Sequence, residues 1–405
     1  MPRLAVIVMI SAALFAASAC SPGPGETGDA PGEAVSAEAA RGALAAFGLD
    51  ERGRIAWESR TQDGAAFTFE DVVLREDGRR LSASRLVLAS PQVTEDGPVF
   101  QRFEVTDARL NEADGLRAGL AQLTITDAGP ELGRALAAAL RGEEAEEGEP
   151  HAWRFGEISL SELAVTGVSE TGQPLDLTLD AATAAGADGE TLETLRLEDL
   201  AFATSDAQGA PLSVTLGALS AHGVAAELAG FTEGRSVAPA APLAGALTPN
   251  TQYDRFSMSD LDVRASGLRI VMPGLSGAVE EAGEGRLISR TTMERLSITA
   301  DAEAGAAGER FARALDQLGY EAMDFSLANA VAYDLEADRV QTIEQNYLRL
   351  EEGFTLRFEQ AARGAAAYGR AYQAWLEQAG ETGGAAPPAE VFEPLEIERM
   401  VITLE

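Results

Sequence analysis

The 405-residue chain carries 65 acidic side chains against 31 basic ones, every basic one Arg, for a net charge of −34. Nucleic-acid phosphates would repel such a chain, so no nucleic-acid partner is expected, and the same charge argues against its lying flat on anionic lipid. A 46% apolar content is enough to build a core, and a lone cysteine excludes an internal disulfide. Stability must therefore come from burial and hydrogen bonding.

Met1 to Cys20 has the parts of an export signal: Arg3, an apolar run from Leu4 to Phe15, and small residues before a cut. The run is too short to span a hydrocarbon core of roughly 30 Å as a helix, and no later segment matches its length. Ala17-Ser18-Ala19-Cys20 resembles the lipobox of bacterial lipoproteins. That resemblance implies cleavage between Ala19 and Cys20 and acylation of Cys20. Ala17 stands where the family favours Leu, and Ala17-Ser18-Ala19 equally suits ordinary signal peptidase; both readings cut the same bond. Three acyl chains, at about 0.8 kcal/mol per buried methylene, would anchor the chain durably. In that family an Asp after the cysteine favours inner-membrane retention; Ser21 stands there instead, so the same resemblance implies the inner leaflet of the outer membrane, facing the periplasm.

Composition and that resemblance together divide the chain into a signal (1–19), Cys20, lipidated by the resemblance, with a Pro/Gly tether (20–34), a β-rich region with helices (35–233), a linker (234–250) and a second β-rich region with two helices (251–405). The tether, with Pro22, Pro24 and Pro31 among glycines, cannot bury enough apolar surface to fold. Helices are expected at Ala37–Phe47, ended by Gly48, and at Pro130–Arg141, Gly308–Leu318 and Gln360–Ala379.

Between the helices a local pattern recurs: apolar, any, apolar, two polar, apolar, any, apolar. It appears at Phe67–Leu74, Ile158–Val165, Leu195–Phe202, Phe256–Val263 and Leu395–Ile402, with weaker copies from Leu81, Phe103 and Val214. At 100° per residue its apolar positions fall on two opposed faces, so it is not an amphipathic helix. As a strand each half alternates, and the central pair shifts the phase by one. A bulge with one extra residue, or a sharp bend, would turn both halves to one core. A flat strand buried on opposite faces, or two strands joined by a kink, would also fit. The expectation is a mainly β fold with added α: a bent antiparallel sheet, either an open groove or sandwich-like, with three to five short helices. The segment from Leu318 to Phe358 reads as hairpins turning near Glu336-Ala337-Asp338. Together with the bent-strand pattern it resembles the AsmA-like β-groove proteins of bacterial envelopes. That resemblance implies a half-open sheet with an apolar trough for a lipid ligand.

The residues offer little catalytic chemistry. His151 follows an acidic run beginning at Glu143; carboxylates with one imidazole could hold a divalent ion, but the run reads first as a solvated loop between a helix and a strand, and His222, in Ser220-Ala221-His222-Gly223, reads as structural. No Ser-His-Asp set, Gly-x-Ser-x-Gly elbow, phosphate loop or zinc-spaced histidine pair occurs. Glu70-Asp71 and Glu198-Asp199 lie in the bend of the strand pattern. No catalytic residue, metal or cofactor is assigned. The one aromatic stripe, Tyr368, Tyr372, Trp375 and Leu376, reads as packing against the sheet or as a groove-covering or docking helix. Two functions follow as expectations: non-enzymatic binding of an apolar envelope molecule or envelope scaffolding, or docking of a basic envelope protein on the acidic surface.

Overall fold

The computed structural model describes residues 35–76, 79–112, 115–143, 153–168, 172–189, 191–205, 210–225, 253–283, 285–301, 305–380 and 388–405. The signal and tether, His151, most of its acidic run and the segment 234–250 lie outside the described residues. Among the described residues the fold is mainly β, at 65% strand and 16% helix, with four helices and a large antiparallel sheet. It divides into two compact units, Met1–Gly230 and Phe231–Glu405.

The first unit opens with α1 (Ala37–Ala43), whose first turn is capped by the Ser36 hydroxyl accepting the Ala39 N–H at 3.1 Å. A 3-10 turn (Leu44–Phe47) follows and ends at Gly48, in the left-handed region with φ 66°. Two short strands, β1 (Ile55–Ala56) and β2 (Ser59–Asp63), pair with β3 (Ala66–Glu76). From there an antiparallel meander runs through β4 (Arg79–Ala89), β5 (Gln92–Thr94), β6 (Gly97–Asn111), β7 (Arg117–Ala128), β8 (Arg154–Val168), β9 (Pro174–Asp188), β10 (Thr191–Ser205) and β11 (Pro211–Ala225). β5 is a side hairpin on the start of β6, so β4 pairs with β6 directly. Between β7 and β8 lies α2 (Pro130–Arg141), with Pro at its first turn and Gly142 closing it at φ 74°. Pro there costs nothing, because the first-turn N–H has no partner within the helix. At Gly133 of α2 any side chain would strike the Pro98 carbonyl, so glycine lets the helix lie directly on β6.

The second unit is another meander: β12 (Arg255–Ala265), β13 (Leu268–Glu281), β14 (Arg286–Ala300), α3 (Ala306–Leu318), β15 (Met323–Asp334), β16 (Arg339–Thr342), β17 (Asn346–Leu350), β18 (Phe354–Arg363), α4 (Ala365–Gly380), a 3-10 turn (Ala389–Val391) and β19 (Glu396–Leu404). The long β15 pairs with β17 along its first half and β16 along its second. Buried Asn346 stitches the gap between those two strands. Its Oδ1 accepts the Ala330 N–H at 2.7 Å and its Nδ2 donates to Asn329 Oδ1 at 2.7 Å. α4 begins five residues later than the Gln360 expected. Gln360 to Arg363 continue β18, Gly364 turns the chain at φ 72°, and Asp338 caps the new helix by accepting the Ala366 N–H at 2.7 Å.

The recurring pattern has one structural meaning in the first unit. At one level of the sheet a residue on every strand drops out of the ladder: Asp71, Ser84, Asp107, Ala121, Glu162, Asp180, Asp199 and Gly217, on β3, β4 and β6 to β11, joined between β4 and β6 by Ala83 and Ala108. On alternate strands this residue is left-handed: Asp71, Asp107, Glu162 and Asp199 have φ of 50–52°. Asp tolerates that region better than most residues. No extra residue is inserted, because Glu70 pairs with Arg85 and Val72 with Ala83, a one-to-one count across the break. The phase shift is thus a crease in the sheet, not a bulge. It places Phe69 and Val72, three residues apart, in the same core. Asp260 repeats the device in β12, with φ 56°, opposite Pro273 of β13. A proline costs little where no ladder bond is made. The copy in β19 differs: Ile397 and Arg399 pair with successive residues of β18, leaving Glu398 as a true extra residue.

Candidate functional site: an apolar inner face

The crease organises the inner face of the first unit into apolar rows that cross eight strands. On one side of it Phe69, Leu86, Val105, Leu123, Leu160, Ala182, Leu197 and Leu219 are successive cross-strand partners. A parallel row runs from Phe67 to Ala221. On the other side Leu74, Leu81, Leu110, Ala118, Val165, Leu177, Phe202 and Val214 form a third row, with a fourth from Val72 to Leu216 between it and the crease. Cross-strand neighbours sit close enough to pack without gaps.

Cover over these rows is uneven. α1, the 3-10 turn and α2 place Leu44, Phe47, Leu132 and Ala137 in the same core as the strands, and Phe47 meets Phe100 edge-on at 6.0 Å. Under that cover all four row residues of β8 (Ile158, Leu160, Leu163 and Val165) are buried. On β10 the corresponding Leu195, Leu197, Leu200 and Phe202 are all half-buried, and on β11 Leu216 alone of the four is buried.

The second unit has an apolar row of its own. Met258, Leu275, Met293, Leu327, Leu348, Leu356 and Leu404 are successive partners across β12, β13, β14, β15, β17, β18 and β19. All are half-buried except Leu404, which is 69% exposed. A second row of Val263, Ile270, Ile298 and Met323 is likewise half-buried. The tightly buried residues of this unit gather elsewhere, around Val331, Tyr333, Val340, Ala362 and Ala365. Burial there pushes the Tyr333 hydroxyl far above its ordinary range.

The outer face opposite is polar. The crease residues Asp71, Asp107, Glu162, Asp180 and Asp199 are all exposed and follow one line across the strands, a linear acidic ridge. Asp107 Oδ2 accepts the Ser84 hydroxyl at 3.0 Å along that line. Glu70 and Glu198 flank it.

The aromatic stripe lies on α4. Tyr368 is 2% exposed, stacks on Phe392 at 5.6 Å and touches Tyr372, which in turn meets Trp375 at 5.4 Å. Val391 and Leu395, on the approach to β19, complete this small cluster. Burial, then the neighbouring Tyr372, raises the Tyr368 hydroxyl. Tyr372 and Trp375 are half-buried, and the Leu376 side chain lies outside the described residues. His222 sits on β11 with Nδ1 3.4 Å from Thr194 Oγ1 of β10. Among the described residues no group of three or more His, Cys, Asp or Glu side chains is placed to hold a metal ion, and no helix is long and apolar enough to cross a membrane. No protein-family model matches the chain, and no curated protein matches it.

Proposed function

We propose that this is a non-enzymatic envelope protein that binds a long-chain apolar molecule on the half-buried apolar rows of one unit or the other, anchored at the inner leaflet of the outer membrane through a lipidated Cys20. The observation that carries the reading is the incomplete cover of continuous apolar rows, on β10 and β11 in one unit and on β12 to β19 in the other. A linear acyl chain laid on such rows gains about 0.8 kcal/mol for each methylene it removes from water. A trough for acyl chains is also what the resemblance to the AsmA-like proteins implies. Full chain purified from cells and extracted with organic solvent is expected to release lipid, and the emptied protein to take up a fluorescent fatty-acid probe. Leu197→Glu and Leu327→Glu should each weaken uptake at least about tenfold, a change of 1.4 kcal/mol; Thr124→Glu on the outer face should not. Absence of both lipid and uptake would sink the reading. Cys20→Ala is expected to move the protein from the membrane to the soluble fraction.

The acidic ridge supports a second reading, a docking line for a basic protein. Cross-linking in cells through Asp107 or Glu162 should then capture a partner whose binding weakens as salt screens the ridge. A capture that salt leaves unchanged would count against it.

A further inference from the structure

We infer that two copies of this chain join edge to edge through β19, antiparallel about a two-fold axis at Ile402, so that their sheets continue into one another. The inference stands on β19 alone and does not depend on lipid binding.

The edge is open and apolar. Among the described residues β19 pairs with β18 on one side and with no strand on the other, and each of its nine residues is exposed. Ile402 is 67% and Leu404 69% exposed, beside Ile397, Met400 and Val401. Edge strands are normally blunted by charge, brevity or a covering segment. β2 in the first unit is blunted in this way: it is Ser-Arg-Thr-Gln-Asp, and its Gln62 is tied to α1 through the Ala37 carbonyl and Arg41. β19 carries charge and a bulge only in its first half, at Glu396, Glu398 and Arg399; Met400 to Leu404 have no such protection among the described residues.

Backbone geometry fixes which groups are offered. Thr355 and Glu405 exchange both backbone hydrogen bonds, at 2.9 and 3.0 Å. By the alternation of an antiparallel ladder, Glu405, Thr403 and Val401 turn their N–H and C=O groups to β18, while Leu404, Ile402 and Met400 turn theirs outward. A two-fold axis at Ile402 pairs Met400 with the second copy's Leu404 and Ile402 with its own counterpart. It therefore joins outward groups only to outward groups.

The side chains match in that register. Ile402 meets Ile402 and Met400 meets Leu404 on the apolar face, extending the Leu356–Leu404 and Phe358–Ile402 rows into the second copy. On the other face Val401 meets Thr403, and Arg399 meets Glu405. Within one chain Arg399 is bound to Glu359 at 2.6 Å and Glu405 to Arg357 at 3.1 Å. The pairing thus lines up Glu359, Arg399, Glu405 and Arg357 in alternating sign across the junction. An axis at Met400 would instead put Glu398 against Ile402 and Arg399 against Val401. The net charge of −34 opposes the approach of two copies, and its repulsion is screened beyond about 8 Å at physiological salt.

Sedimentation equilibrium of the full chain in detergent tests the inference. The expected result is a dimer that tightens as salt rises, the opposite of docking through the acidic ridge. Ile402→Pro removes an outward N–H while sparing the bonds to β18, and Ile402→Lys sets like charges on the axis; both should leave monomers. Val401→Cys with Thr403→Cys should form an interchain disulfide under oxidation, and Glu396→Cys alone should not. A monomer at all concentrations, a dimer that survives both Ile402 variants, or a partner of another kind on β19 of a monomeric chain would each overturn it.

Discussion

On β8 of the first unit Ile158, Leu160, Leu163 and Val165 are all buried; on β12 to β14 of the second, Met272 is the one large apolar side chain buried among the described residues. The strands are alike in alternation and both units carry a left-handed acidic residue at a break in the ladder, Glu162 in one and Asp260 in the other. What differs is where the helices land. α1 and α2 lie on the apolar rows of β3 to β8. In the second unit α4 packs on the approach to β19, and α3 keeps a single large side chain, Leu315, buried. Among the described residues the same sheet chemistry therefore yields a core in one place and a half-covered apolar face in another, and cover rather than strand pattern decides which.

The largest expected effect breaks the covered side. Phe103→Ala removes a ring that is 3% exposed and should cost about 3–5 kcal/mol. Leu327→Ala in the half-buried row of the second unit should cost about 1 kcal/mol, since much of its area is already in water. Two compact units need not unfold together, so amide exchange in urea, read separately on β6 and β15, is the measurement. Equal losses would mean that the second unit is covered as thoroughly as the first.

A smaller effect sharpens what the units share. Asp107 and Asp180 lie in the same crease row, but Asp107 has φ 50° and Asp180 is not left-handed. Asp107→Val should therefore cost about 1–2 kcal/mol, Asp107→Gly should be close to neutral, and Asp180→Val should stay within about 0.5 kcal/mol. Comparable losses at Asp107 and Asp180 in urea unfolding would show that the crease is held by charge or packing and not by backbone conformation.

The crease was legible in the sequence as a phase shift because its strongest copies place Leu, Ile, Val, Phe or Met on both sides of a polar pair. Its chemistry was half legible: an acidic residue recurs in the pair because one member must enter the left-handed region. β7 and β9 carry the same shift less legibly: on β7 Ala118 fills a row position and Ala121 stands in the pair that is polar elsewhere, and on β9 Ala182 and Ala184 fill two row positions. The start of α4 was misplaced because its cap, Asp338, comes from a turn far upstream. Exposure of the inner face could not be read at all. It depends on where α1 and α2 settle after tertiary packing, and nothing in the strands of β10 or β13 encodes that.

The smallest effect concerns ion pairs that look alike and are backed differently. In the second unit Arg339 and Arg363 each bind Glu398, at 2.9 and 2.6 Å, and hold its carboxyl below the ordinary value of 4.5. In the first, Arg141 binds Glu143 at 2.5 Å at the end of α2 and lowers its carboxyl in the same direction. A carboxyl whose folded pKa is depressed contributes fully above its unfolded value, and the contribution is lost as pH falls through the folded one. Both pairs should therefore be silent from neutrality down to about pH 5 and weaken below the ordinary carboxylate range. The consequences should differ. α2 is also pinned by buried Leu132 and Ala137, whereas β19 has no buried side chain and owes its place to the β18 ladder and to ion pairs such as this one. On acidification amide protection along β19 is expected to fall before that of α2, and Glu398→Gln should reduce the pH dependence at β19 while leaving that of α2 unchanged. Simultaneous loss at both would place the anchoring of β19 in its backbone ladder, leaving the arginines only a surface role.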